Sequence, residues 1–231
     1  MENNFYHILN RGVEKRNIFL NKKDYLRFLH NIEDFNDQNI VSQSYYRRRI
    51  KTDCTRSTIK INNPLVKVMC WCLMPNHFHI LVKEEIDKGV SLFSMKNTAG
   101  YTRYFNEIND RSGVLFQGKS KIISIEEDAH FNWLPFYILS NPLDLFQQNW
   151  KEKGLKSPKK AFEFLLNYKW SNFSELFSKI NGTPSTVNTI KNNNDIFYEI
   201  FDTNKENFRK DFLEWLINYN NKYNFESFFD D

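Results

Sequence analysis

With 231 residues and 41% hydrophobic content, the chain is long enough to bury one sizeable core, and one main domain with a smaller appendage is expected. Its net charge of +4 comes from 32 basic against 28 acidic residues, with a pI near 8.8, a balance too even to identify a nucleic-acid partner unless the charge is clustered. No apolar run approaches the ~20 residues that cross a bilayer, and the opening MENNFYHILNRG carries no basic leader ahead of an apolar core, so no membrane partner and a cytoplasmic location are expected.

In chain order, Phe5 to Asn10 reads as a short strand, closed by Arg11-Gly12. Asn21 is a candidate cap for a helix from Lys22, in which Tyr25, Phe28, Leu29 and Ile32 recur at helical spacing. From about Asn39 to Asn63 that periodicity fails. Arg47, Arg48, Arg49, Lys51, Arg56 and Lys60 stand there against the single acid Asp53, beside Tyr45 and Tyr46, which marks a basic loop or hairpin inserted over about 40–63. It is either a DNA contact or a solvated surface loop.

Leu65 to Leu73 reads as a buried strand, Met74-Pro75-Asn76 as a tight turn and His77 to Lys83 as a second strand, together an antiparallel hairpin. Cys70 and Cys72, two apart in an apolar run, suit one strand face as reduced thiols. With Cys54 they make an odd count that fits neither a disulfide framework nor a tetrahedral zinc site. A helix over Gly89 to Asn109, β character from Gly113 to Ile125 and a helix over Glu127 to Asn141, ended by Pro142, follow. Short helical character at Lys159 to Asn167, the polar stretch NGTPSTVNTIKNNN and a helix over Lys205 to Lys222 complete the chain. The polar stretch is the candidate boundary between a main domain at 1–180 and a linker with a helical C-terminal extension at 181–231. Phe208, Phe212, Trp215, Leu216 and Tyr219 give that last helix a packing face.

Two short patterns bear chemistry. In a strand, residues i and i+2 project from one face, so His77 and His79 converge while Phe78 and Ile80 point to the core. Neutral imidazoles so placed are a natural start for a divalent metal site. On a helix, i and i+4 share a face, so Tyr137 and Asn141 of YILSNP can reach a common site.

MPNHFHILV, YTRYFN, GVLFQGK and YILSNP, in that order, resemble the motifs of HUH single-tyrosine transposases of the insertion-sequence-200-like superfamily, and most closely the REP-associated tyrosine transposases. YHILNRGVEKRNIF with DYLRFL ahead of them, and YKWSNF after them, extend the resemblance over roughly residues 5–175. It implies an α+β fold, a ferredoxin-like antiparallel sheet with helices packed on it. It implies Mg2+ or Mn2+ held by His77 and His79 with Asn141 in the place of the third ligand, and Tyr137 as the nucleophile on single-stranded hairpin or palindromic DNA. His130 is a rival third ligand, and Tyr101 and Tyr104 are not the nucleophile on this reading. Arg11, Arg103, Lys119 and Lys121, with Arg47, Arg48 and Arg49, are the candidate DNA contacts. A nucleoid-associated enzyme is implied, and the resemblance accommodates both monomers and homodimers.

The chain departs from the pattern twice. Pro135-Phe136 stands where a basic residue usually precedes the tyrosine, so the tyrosine helix is expected to be reset or short. Gly118-Lys119-Ser120-Lys121 replaces the usual GRxK and loses bidentate phosphate geometry. Two competing classes are a non-catalytic single-strand-binding protein, which would need neither metal nor Tyr137, and a metal-dependent phosphodiesterase using water, which would form no protein–DNA adduct.

Overall fold

The computed structural model describes residues 4–39, 63–126, 128–177 and 194–222. The basic residues from Arg47 to Lys60 and nearly all of the polar stretch at 181–194 lie outside the described residues. Four strands form one antiparallel sheet: β1 (Phe5–Arg11), β2 (Val66–Met74), β3 (His77–Glu84) and β4 (Lys121–Ser124), in the spatial order β2-β3-β1-β4. Helix α1 (Lys22–Asp34) joins β1 to β2, and helix α2 (Gly89–Ile108) joins β3 to β4. This is the expected ferredoxin-like arrangement, in which two split β-α-β units interleave to put β1 and β3 at the centre.

The alternation of side chains divides the sheet into two buried faces. Ile8, Trp71, Leu73, Phe78, Ile80 and Val82 pack against α1 and α2 through Phe28, Leu29, Phe93 and Tyr101. Cys70, Cys72, Met74 and Leu81 look the other way, toward helix α3 (Asp128–Ser140) and the helices after it. The first helix starts where Asn21 predicts. Asn21 Oδ1 accepts from the Lys23 and Asp24 amides, and Asp24 Oδ2 accepts from the Asn21 amide, a reciprocal capping box.

Two of the sequence motifs meet at the hairpin turn. The Gly12 amide donates to Asn76 O at 2.8 Å, and the Ile18 and Phe19 amides both donate to Pro75 O. A Cβ on Gly12 would stand 2.3 Å from Arg16 O, so this close wrap requires glycine. The YTRYFN motif is structural: Tyr101 Oη donates to Ile18 O and Tyr104 Oη to Asp24 Oδ1, both on the α1/α2 layer. YKWSNF closes the free edge of β2. Leu73 N donates to Trp170 O, Trp71 N donates to Asn172 Oδ1, and Trp170 stacks on Tyr25 at 4.2 Å.

Three expectations are corrected. The β character expected from Gly113 to Ile125 reduces to β4 and an isolated bridge of Phe116 to Gly12, because Gln117 to Ser120 turns between them. The tyrosine helix is neither reset nor short: α3 runs 13 residues through Pro135. Proline removes one backbone hydrogen bond there, and burial of Leu134, Phe136, Ile138 and Leu139 in the core offsets the loss. After Pro142 come helices the periodicity did not reveal, α4 (Leu143–Phe146), α5 (Trp150–Lys153), α7 (Phe173–Phe177) and α8 (Asn194–Ile200), besides the expected α6 (Pro158–Asn167) and α9 (Lys205–Lys222). The last helix joins the core directly. Phe208, Phe212 and Trp215 surround Phe136 with ring centroids 4.9, 5.3 and 5.8 Å away. No helix among the described residues is long and apolar enough to cross a membrane.

Candidate active site

The histidine pair lies at the start of β3, the central strand beside β1. Cross-strand register sets Arg11 opposite His77 and Leu9 opposite both His79 and Lys121. Directly opposed residues share a face, so the two imidazoles, Arg11 and Lys121 occupy one face of the sheet. His7, two residues before Leu9, belongs to it as well, and its Nε2 lies 2.9 Å from His79 Nδ1.

His77 is oriented by its neighbour. Its Nδ1 lies 2.6 Å from Asn76 Oδ1, and Asn76 Nδ2 donates to Lys15 O at 3.2 Å, which fixes which end of that amide faces the ring. An amide oxygen cannot donate, so His77 Nδ1 carries the proton and Nε2 keeps its lone pair. Burial, and next the charge of Arg11, push the His77 pKa down to about 4, against the opposing hydrogen bond that the charged ring would donate to Asn141; Lys151 adds to the depression. Burial likewise holds His79 well below the usual histidine range, reinforced by His77, His7 and Lys151. Both rings are therefore neutral at pH 7, the form that ligates metal.

Helix α3 brings the second pattern over this face. The Tyr137 ring meets His79 edge-on at 5.7 Å and His7 at 6.3 Å, and it is half-buried. Asn141, one turn on, donates through Nδ2 to Tyr137 O at 2.9 Å and Ile138 O at 3.3 Å. Those bonds end the helix and leave the amide oxygen as the atom available to a cation, or to the His77 ring when it is protonated. Lys151 of α5 places Nζ 5.4 Å from the Tyr137 ring centroid.

Tyr137, His77, His79, Asn141, Arg11 and Lys121 are thus brought together. Lys119 is exposed in the turn before β4, held near β1 by Asn10, whose amide donates to Gly118 O and Ser120 Oγ. Arg103 is exposed on α2, in the layer on the far side of the sheet. Arg47, Arg48 and Arg49 lie outside the described residues, as does the side chain of His130. Two site residues escaped the sequence reading. His7 carries no local signal, and only the β1–β3 pairing reveals it; Lys151 sits in a short basic helix indistinguishable from a solvated one.

Among the described residues no group of three or more His, Cys, Asp or Glu could hold a metal ion. The donor set is two neutral imidazoles and an amide oxygen. That set could hold a divalent ion with positions left open for other ligands, and it does not fit a closed structural site.

No family model matches the chain, and no curated protein matches it. Among solved structures, one described as a REP-associated tyrosine transposase bound to a REP hairpin is similar to it, at 12% identity over 83% of this chain and 95% of that one, with a TM-score of 0.45. At that identity and score the likeness carries no argument about chemistry, which rests on this chain's own residues.

Proposed function

We propose that the protein is a metal-dependent single-stranded DNA nuclease and strand transferase of the single-tyrosine type, with Tyr137 as nucleophile and His77, His79 and Asn141 as metal ligands. The observation that carries the reading is the Tyr137 ring standing against His79 on the face that also holds His77 and Arg11. The ordered sequence motifs support the same assignment. Mg2+ or Mn2+, when bound, would supply Lewis-acid activation of the scissile phosphate.

The chain's own groups account for the rest. Arg11 and Lys121 face the strand with positive charge and draw its phosphates toward the histidines. Tyr137 Oη attacks phosphorus and forms the tyrosine–phosphate bond as the bond to the 3′ oxygen breaks; the phenolic proton is lost and the 3′ oxygen leaves as a hydroxyl, so the DNA stays joined through a 5′-phosphotyrosine. A tyrosine pKa of ~10 makes the neutral phenol a poor nucleophile at pH 7, and the Lys151 ammonium beside the ring favours the phenolate. The ester conserves the energy of the cut bond, so a second 3′ hydroxyl can reverse the attack and join new ends. DNA hairpins or palindromes are the substrate class this reading carries.

The test is a covalent adduct. Hairpin-bearing single-stranded DNA labelled on the 3′ side of the cut should migrate with the protein on denaturing gels in Mn2+. Tyr137→Phe keeps the ring packing and should bind DNA without forming the adduct. An adduct that persists in that variant removes Tyr137 from the role, and cutting that releases both ends freely would identify a water-using phosphodiesterase.

A further inference from the structure

The contact between His7 Nε2 and His79 Nδ1 holds one proton between two nitrogens. His7 is fully buried and His79 only 4% exposed, so bulk water does not settle which ring donates. The two arrangements differ in consequence. If His7 Nε2 donates, the proton of neutral His79 sits on Nε2 and that nitrogen cannot ligate. If His79 Nδ1 donates, Nε2 keeps its lone pair. Asn76 imposes the second arrangement on His77 from the other side, so a site with both imidazoles competent needs the same choice at His79.

We propose that His7 is a positioning residue that accepts the Nδ1 proton of His79 and thereby presents His79 Nε2 to the cation. It acts through His79 and touches neither strand nor metal. A ligating histidine is commonly held by a partner on its other nitrogen, and loss of that partner costs 10–100-fold in metal affinity. Carboxylates and carbonyls usually fill that place. Here a neutral imidazole fills it, which holds the tautomer without adding negative charge to a site that must admit a phosphate. The inference rests on the metal reading of His77 and His79 proposed above.

Long-range 1H–15N correlations on the metal-free protein report which nitrogen of His79 is protonated, and calorimetric titration with Mn2+ alone reports affinity without DNA or turnover. The wild type should show His79 protonated on Nδ1. His7→Phe keeps the ring volume and removes the acceptor; it should lose the single Nδ1 tautomer and bind Mn2+ roughly 10–100-fold more weakly. His7→Gln, which restores an acceptor, should recover most of that affinity. A wild-type His79 protonated on Nε2, or His7→Phe binding Mn2+ as the wild type does, overturns the inference, as does His7→Gln binding no better than His7→Phe. Should His7→Phe not fold, the wild-type tautomer and His7→Gln still decide. His77→Ala separates the two readings. If it binds Mn2+ like the wild type, the metal assignment itself fails; if it loses Mn2+ while His7→Phe keeps it, only the role of His7 fails.

Discussion

Lys151 Nζ stands 5.4 Å from the Tyr137 ring centroid and 3.8 Å from Asp144 Oδ2, so a cation of α5 near the site is tethered by a carboxylate of α4. The tether is partly exposed and contributes little to stability, so the consequence of the placement is chemical. An ammonium beside a phenol that must lose its proton lowers the barrier to attack. Lys151→Met should reduce the rate of adduct formation about tenfold or more, with DNA affinity changed far less. Lys151→Arg should restore part of the rate. Single-turnover kinetics with saturating DNA measure this, and an unchanged rate in Lys151→Met would show that the charge only decorates the rim.

Asn141 has two duties in the structure, ending α3 through its amide nitrogen and offering its oxygen to the site. Asn141→Ala should therefore lose roughly 1 kcal/mol of stability from the helix end and shift the Mn2+ dependence of cleavage severalfold. Asn141→Asp keeps an oxygen and adds charge, so it should tighten Mn2+ binding while slowing attack on a phosphate. If Asn141→Ala melts lower yet shows the wild-type metal titration, its role is structural and the third ligand is His130 or water.

The first three strands and the first two helices were legible because their signals are local: the Asn21 cap, the helical spacing of Tyr25 to Ile32, and the Pro75-Asn76 turn between two apolar strands all operate within a few residues. That His77 shares a face with His79, and Tyr137 with Asn141, was legible for the same reason, since i, i+2 and i, i+4 relations are fixed by strand and helix geometry; the roles assigned to them came from the resemblance of the ordered motifs. His7 was not, because it joins the site through strand pairing across 72 residues. Pro135 misled for a related reason: its cost is local, but the burial of Phe136 that offsets it comes from Phe208, Phe212 and Trp215, far along the chain.

The buried histidines make stability depend on pH. His77 has a folded pKa near 4 against an ordinary 6.5, and His79 shifts in the same direction. Between these values the unfolded chain binds protons that the folded chain refuses, so stability is full above about pH 6.5 and is lost as pH falls toward 4. A shift of that size at His77 corresponds to at most about 3 kcal/mol. Thermal melts of metal-free protein should fall steeply across that window, and His77→Asn should flatten part of the slope. Equal slopes in the two proteins would place the acid sensitivity elsewhere.

Tyr137 faces the histidines of its own chain, and the packing behind it makes that arrangement hard to exchange. Phe136 is buried among Phe208, Phe212 and Trp215 on one side of α3 while the ring of Tyr137 meets His7 and His79 on the other. Passing α3 to a second copy without the last helix would break those aromatic contacts, each side chain being worth about 1.5–3 kcal/mol of burial. Catalysis should therefore run in cis even if two copies associate. A mixture of His77→Ala and Tyr137→Phe proteins, each inactive alone, should yield no adduct at any concentration ratio. An enzyme that shares its tyrosine helix between subunits would instead regain activity in the mixture, because one composite site would combine an intact histidine pair with an intact tyrosine. Phe212→Ala loosens the anchor without touching either pattern. It should lower the melting temperature and, if the anchor is what confines Tyr137 to its own chain, it is the background in which mixing could begin to restore adduct.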